Sequence, residues 1–312
     1  MSKNHHNEGL LKFTNKHQDL PMSLETSTAQ ASVAKSAAPA ATPLIRHESC
    51  SLSSVRRVAA MLDLSPDAWA VGQHLPRGWH FILLAADTAK SALRADGFPG
   101  LGVPMPDLGL PRLMLGGRKV TFQHDIPIGA ELTRSSATVS VAHKKNAAGP
   151  VAVVTLSHAL HLRNETEAAV LETQTYLLLP PRVGALTTPE ANQGAAIQAT
   201  HLKTVTPDDT LLFHYSALGF NSHRIHLDRE HARQVEGFPD LVVNGGLATL
   251  LMTEFLRQDL GVTPRSLAVR HLAPLYCQRP MTLSADPVEG GWTLKAFDDH
   301  HQLAVEMEVK TA

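Results

Sequence analysis

The sequence predicts an α+β fold in which antiparallel strands wrap a buried helix, with the same plan used twice. Strand patterns rich in Val, Leu and Thr, separated by turn signals, recur in the first half at residues 118–125, 131–143, 151–162 and 170–179. After a polar interruption, an apolar helix pattern at 245–260 precedes further strand patterns at 266–272, 281–288, 292–297 and 302–309. A helix packed on one face of an antiparallel sheet is an α+β architecture.

The other segments are interpreted from local pattern. Residues 54–64 have apolar side chains on one helical face, which predicts a short helix. Residues 78–84 form an apolar segment, and the prolines and glycines of 97–117 predict a loop. Residues 209–217 are an apolar run interpreted as a strand. The helix at 245–260 is apolar nearly all round, which is typical of a buried helix.

The composition limits the classes of function. A chain of 312 residues with 43% hydrophobic residues is long enough for two globular domains. A formal net charge of -1 gives no field that would recruit nucleic acid or an anionic membrane. The two cysteines, Cys50 and Cys277, cannot make a disulfide framework, so a reducing compartment, the cytoplasm, is expected. No apolar run reaches about 18 residues, so no membrane span is expected.

The composition also suggests domain boundaries. Residues 1–44 have few large apolar side chains, so we expect a disordered tail, or an over-long start with Met22 as the true initiator. A first domain is expected at 45–185, a linker at 186–198 and a second domain at 199–312.

A polar cluster lies between the strand pattern at 209–217 and the helix pattern. Residues 221–226 contain an amide, two imidazoles and a guanidinium, and the helix pattern opens on Gly245 and Gly246. Free N–H groups at a helix start can hold a polarised carbonyl, and an imidazole beside them can transfer a proton. His226 is the acid/base candidate because an imidazole titrates near neutral pH.

These residues resemble the MaoC-like hydratases and dehydratases of the hotdog fold, whose motif is Gly-Asp-x-Asn-Pro-x-His. The segment Phe-Asn-Ser-His-Arg-Ile-His at 220–226 aligns on His226, with Asn221 in place of the Asp and His223 in place of the Asn. This Asn-x-His-Arg-Ile-His form resembles the two-domain branch that includes mesaconyl-C4-CoA hydratases, in which only the second hotdog is catalytic. The fold implied is a double hotdog, two antiparallel sheets each wrapping a long central helix.

The resemblance implies reversible hydration of an α,β-unsaturated acyl-CoA, with mesaconyl-C4-CoA giving citramalyl-CoA as the expected reaction. Asn221 would then hold the attacking water or the leaving hydroxyl group. Gly245 and Gly246 would bind the thioester oxygen, and Asn244 is a candidate helix cap and substrate-binding residue. No cofactor is implied beyond the acyl-CoA substrate, and a homodimer is expected.

Other interpretations remain open. Arg224 can pair with a carboxylate or phosphate of the substrate, or it is a solvated loop cation. His223 is structural, a partner of His226 or a substrate-binding residue. The histidines at 214, 223, 226 and 231 lack the spacing of a metal site, so no metal is expected. The alternative functions are dehydration of fatty-acid-type hydroxyacyl thioesters and, from another class, an acyl-CoA binder or thioesterase.

Overall fold

A computed structural model describes the chain over residues 42–100, 102–103, 108–146, 149–181 and 193–311. Most of the predicted tail, with Met22, and the first part of the predicted linker lie outside these ranges. The domain boundaries given above therefore stay predictions.

Ten strands form one antiparallel sheet in the order β1-β3-β4-β5-β2-β7-β10-β9-β8-β6. Their bounds are β1 Leu44–Ser49, β2 Arg112–Phe122, β3 Glu131–Asn146, β4 Gly149–Leu162, β5 Ala168–Leu179, β6 His201–Val205, β7 Ser266–His271, β8 Met281–Val288, β9 Gly291–Phe297 and β10 Leu303–Lys310. The strand patterns of both halves of the sequence are thus confirmed.

The two expected sheets are joined edge to edge into one. Strand β2 of the first half pairs with β7 of the second half, with Gly117 opposite Arg270. A Cβ atom on Gly117 would lie 2.5 Å from the carbonyl oxygen of Val269, so only a glycine allows the strands to come this close. Strands from both halves of the chain therefore belong to one sheet, and their side chains share its inner face.

Among the described residues, three α-helices of ten residues each accompany the sheet: α1 Leu52–Met61, α2 Asp209–Leu218 and α3 Gly245–Glu254. The prediction of a strand at 209–217 is wrong, because this segment is α2. The side chain of Asp208 caps α2 by accepting a hydrogen bond from the N–H of Leu211 at 2.8 Å. A short apolar run has no periodicity that separates a strand from a buried helix, and the cap decides between them here.

The predicted loop at 97–117 ends earlier than expected. Strand β2 begins at Arg112, directly after the last proline of the segment. The register of β2 against β5 shifts between Leu115 and Gly117. Gly116 and Gly117 therefore lie at a bulge inside a strand.

Helix α3 forms the centre of the core, and its chain continues as a π-helical turn over Phe255–Asp259. Leu247, Leu250 and Met252 are buried there. The first half contributes a short 3-10 helix, Trp79–Leu83. Helix α1 is the longest helix among the described residues of this half. Trp79 Nε1 donates to Glu254 Oε1 at 2.8 Å, so this short helix packs on α3.

The remaining short segments are 3-10 turns at Pro66–Ala68, Lys90–Ala92 and Arg224–His226, and a π-helical turn at His231–Val235. In the part of the chain that the structure describes, no helix has the length and apolar character needed to cross a membrane.

Candidate active site

A cavity of about 450 Å³ lies at the start of α3, between the 221–226 segment and the inner face of the sheet. One end of the cavity is lined by the residues that the sequence singled out: Asn221, His223, His226, Asn244, Gly245 and Gly246. The sheet supplies a further polar set to the wall: Arg112, Arg118, His158, Gln174, Tyr176 and His271. The structure therefore brings the predicted catalytic and thioester-binding residues together around one space.

His226 is held in one orientation by its backbone contact. Its Nδ1 donates a hydrogen bond to the carbonyl oxygen of Val242 at 2.7 Å, so Nε2 carries the lone pair. None of the described residues is hydrogen-bonded to Nε2, and the ring lines the cavity. Burial, reinforced by the nearby His223, lowers the pKa of His226 to about 3. The imidazole is therefore neutral at pH 7, and in the empty site it does not titrate near neutral pH as the sequence suggested.

Asn221 is fixed by a tight turn at the end of α2. Phe220 has a left-handed backbone with φ of 48°, and the N–H of Asn221 donates to the carbonyl of Ser216 at 2.7 Å. The side-chain Oδ1 of Asn221 accepts from the N–H of His223 at 3.1 Å. The Nδ2 group has no partner among the described residues, so this side chain offers donors to the cavity.

His223 connects the site to the first half of the chain. Its Nε2 lies 3.5 Å from Asp96 Oδ2, and its ring meets that of His226 edge-on with centroids 5.5 Å apart. Burial lowers the pKa of His223 to about 4, and the nearby cation of Arg94 adds to this effect. A neutral His223 packed between these groups fits the interpretation of a partner that positions His226.

The start of α3 presents backbone N–H groups to the cavity. Gly245, Gly246 and Leu247 occupy the first turn, and no described residue accepts a hydrogen bond from their N–H groups. A bound oxygen at this point would meet both these donors and the positive end of the helix dipole. This geometry is the one expected for a site that binds a thioester oxygen.

Asn244 occupies the N-cap position of α3, as expected, but its side chain does not act as a cap. Its side chain makes no capping hydrogen bond to α3; Nδ2 instead lies 3.3 Å from Ser216 Oγ. The Oδ1 atom is buried and has no partner among the described residues. Asn244 therefore connects the start of α3 to α2.

Arg224 lies away from the cavity. Its guanidinium is half exposed and forms an ion pair with Asp228 one helical turn later, at 2.6 Å. Of the two interpretations left open by the sequence, the structure favours the solvated loop cation. A cation for a substrate carboxylate has to come from another part of the chain.

Arg118 is such a cation, and the sequence reasoning assigned it no role in the site. Its Nε and Nη2 donate to Glu172 Oε1 at 3.0 and 2.5 Å, and no described residue is bonded to its Nη1. Glu172 is itself fixed by His80 at 2.7 Å and by Gln174 at 2.6 Å. These contacts hold the pKa of Glu172 well below its usual range despite its burial. Arg118 lies on β2, and Glu172 and Gln174 lie on the adjacent strand β5. Knowledge of the pairing of these two strands would therefore have indicated their contact.

No three His, Cys, Asp or Glu side chains of the described ranges converge in a way that could hold a metal ion. The expectation of a metal-free site was made from spacing, and it stays a prediction.

Comparison with known proteins identifies the family. The model of the family of hydroxyacyl-thioester dehydratases type 2 matches residues 78–277. Mesaconyl-C(4)-CoA hydratase of Chloroflexus aurantiacus is 31% identical over 232 residues, which cover 74% of this chain and 82% of the relative. The chain belongs to the hydroxyacyl-thioester dehydratase type 2 family. It is therefore an enzyme of the hydratase and dehydratase class, a carbon–oxygen lyase.

A second relative agrees with this family, and a solved structure agrees with the fold. The mitochondrial hydroxyacyl-thioester dehydratase type 2 of Saccharomyces cerevisiae is 26% identical over 239 residues, covering 72% of this chain and 82% of the relative. The crystal structure of HtdX from Mycobacterium tuberculosis superposes with a TM-score of 0.60 at 17% identity, over 86% of this chain and all of that one. The prediction of an α+β double hotdog is confirmed, with the two half-sheets fused as described above.

Proposed function

We propose that this enzyme adds water to the double bond of a short, branched dicarboxylic enoyl-CoA, with mesaconyl-C4-CoA giving citramalyl-CoA as its reaction. The observation that carries the proposal is the placement of a neutral His226 in the same cavity as the free N–H groups that begin α3. One group moves a proton, and the other receives the charge that develops on the thioester oxygen.

The proposed step uses His226 as both base and acid. Nε2 takes a proton from a water molecule held by the Nδ2 group of Asn221 while the water oxygen bonds to the β-carbon. The electron pair of the double bond moves toward the thioester, and the N–H groups of Gly245 and Gly246 stabilise the enolate oxygen. The imidazolium then gives its proton to the α-carbon, which leaves the hydrated thioester. Dehydration is the same path in reverse.

The pKa of His226 has to rise during this cycle. The neutral ring is the form that accepts a proton from water, and burial disfavours its charged form in the empty site. The enolate charge beside it favours the imidazolium only while the intermediate exists. Proton return to carbon is therefore driven by the same burial that keeps the free base neutral.

The dicarboxylic substrate is supported by Arg118. The cavity that begins at His226 also contains this guanidinium, with Nη1 unbonded among the described residues. A carboxylate at the far end of a short acyl group can accept a charge-assisted hydrogen bond there. The likeness to a relative named mesaconyl-C(4)-CoA hydratase supports the same substrate.

The test is the loss of enoyl-thioester absorbance with mesaconyl-C4-CoA, crotonyl-CoA and a medium-chain enoyl-CoA in parallel. We expect the fastest loss with mesaconyl-C4-CoA and no release of free thiol. Release of free CoA would indicate a thioesterase, and no change with any substrate would indicate an acyl-CoA binder. Faster loss with the medium-chain substrate would replace the diacid with a fatty-acid-type substrate.

A paired substitution tests the role of Arg118. Arg118→Gln together with Glu172→Gln removes the cation without leaving a buried charge uncompensated. We expect kcat/KM for mesaconyl-C4-CoA to fall about 10- to 100-fold, the value of a charged hydrogen bond, and that for crotonyl-CoA to change little. Equal losses for both substrates would show that the pair acts only on the fold.

The absence of a cofactor, the homodimer and the cytoplasmic location stay predictions. Activity after exhaustive dialysis against a chelator would test the first of them.

A further inference from the structure

Tyr215 lies beside the start of α3, in a position that the reaction described above does not use. A Cβ atom built on Gly246 would lie 2.1 Å from the phenolic oxygen, so the hydroxyl occupies the space that the glycine leaves. The ring of Tyr215 is buried and stacks on Phe81, with centroids 4.6 Å apart and planes inclined by 22°. The hydroxyl is thus held in place by packing on both sides.

No described residue is hydrogen-bonded to the hydroxyl, and the largely buried side chain lines the cavity. A buried phenol normally finds a partner, because an unsatisfied polar group is costly. Burial raises the pKa of Tyr215 to about 12, so the group remains a donor throughout the working pH range. A ligand group in the cavity can therefore accept this hydrogen bond in place of water.

We propose that Tyr215 is a catalytic residue whose hydroxyl donates a hydrogen bond to the thioester oxygen, alongside the backbone N–H groups at Gly245 and Gly246. This inference rests on the proposed function, since it assigns a further donor to the same oxygen. The hydroxyl and the first turn of α3 are close enough to share one acceptor. Gly246 is also needed to position the hydroxyl, because any side chain at 246 would displace the phenol of Tyr215.

A comparison of substrates separates this role from recognition of the carboxylate. Tyr215 lies in electrostatic contact with Arg118, which lowers its pKa against the larger effect of burial. A hydroxyl that served the distal carboxylate would affect diacid substrates alone. A hydroxyl at the thioester oxygen affects every enoyl-CoA, because the thioester is common to all of them.

The experiment compares Tyr215→Phe with the wild type in two measurements. The first is kcat with mesaconyl-C4-CoA and with crotonyl-CoA. The second is the absorbance maximum of bound 2,4-hexadienoyl-CoA, a conjugated thioester whose band moves to longer wavelength when its carbonyl oxygen accepts hydrogen bonds. Tyr276→Phe is the matched control, since Tyr276 is not among the residues that line the cavity.

We expect Tyr215→Phe to lower kcat about 100-fold with both substrates, to reduce the wavelength shift and to leave the thermal midpoint unchanged, because the hydroxyl has no partner in the empty site. A full shift in Tyr215→Phe, a kcat like that of the wild type, or a loss confined to mesaconyl-C4-CoA would overturn the proposal for Tyr215. Absence of any shift in the wild type would instead contradict thioester polarisation itself, and with it the proposed function.

Discussion

Replacement of Gly246 by alanine tests the packing at the start of α3. The new methyl group would lie 2.1 Å from the hydroxyl oxygen of Tyr215 and 3.1 Å from the ring carbon that bears it. The first distance is more than 1 Å inside normal contact, and the stacked ring cannot move away freely. Overpacking of this kind costs about 1–3 kcal/mol, partly offset by about 1 kcal/mol from the higher helix propensity of alanine.

Gly245→Ala is the matched control. Its methyl group would lie 3.2 Å from His271 Cε1 and from Leu115 Cδ2, both of which are ends of side chains. These atoms can shift by a few tenths of an ångström, so we expect a stability change within about 0.5 kcal/mol. Both substitutions keep ordinary helical backbone, so the comparison isolates the contact with Tyr215.

The assay is urea unfolding of both single variants and of Gly246→Ala combined with Tyr215→Phe. Removal of the hydroxyl deletes the 2.1 Å contact and leaves the 3.1 Å contact as the tightest. The double variant should therefore recover about 1 kcal/mol of the loss, which appears as coupling in a double-mutant cycle. Equal stability of the two alanine variants, with no coupling to Tyr215, would refute the placement of the hydroxyl at the helix start.

Three further outcomes follow from the site. Four largely buried imidazoles have folded-state pKa values below the ordinary 6.5: about 4 for His158, His223 and His271, and about 3 for His226. The unfolded chain therefore binds more protons at acid pH, so stability falls as the pH drops below about 6.5, with a slope of about 5 kcal/mol per pH unit near pH 5. Thermal midpoints between pH 8 and 5 measure this, and a midpoint independent of pH would show that these imidazoles are not buried as neutral rings. Asn221→Ala should lower kcat about 10- to 100-fold through loss of the donor that holds water, and a kcat equal to the wild type would remove the residue from the step. Arg224→Ala should leave KM for mesaconyl-C4-CoA within about twofold because the side chain lies outside the cavity. A tenfold rise in KM would restore its role in binding.

Local pattern was sufficient for most of the elements. Alternating side chains predicted β3–β5 and β7–β10 because each strand has one buried and one exposed face. Helix α3 is apolar on nearly all faces, which predicted a helix that is buried all round. Helix α2 was missed since ten mainly apolar residues carry little periodicity, and the decisive feature was the single cap at Asp208.

Long-range pairing could not be predicted in this way. The junction of β2 with β7 joins positions about 150 residues apart, such as Gly117 and Arg270, and no local signal encodes it. Arg118 reaches the cavity through this junction. The role proposed for Arg118 could therefore not be predicted from the sequence. Arg224 was a candidate because it lies two residues before His226 in the chain.

Within the site, motif and spacing located His226, Asn221 and the two glycines, and the structure places all of them on one cavity. The role proposed for Tyr215 was not predicted, because the segment 209–217 was interpreted as a strand. A helical interpretation of that segment would have placed Tyr215 on the same face as the buried Leu212, and so toward the core.

Proton transfer by His226 is the central claim, and His226→Ala is its most direct test. Hydration of mesaconyl-C4-CoA should be followed by enoyl-thioester absorbance, with His214→Ala as a control at an exposed histidine. A rate about 100- to 10,000-fold below the wild type, with a folded variant and an unaffected control, is the predicted result. A His226→Ala variant that hydrates at the wild-type rate would contradict the account.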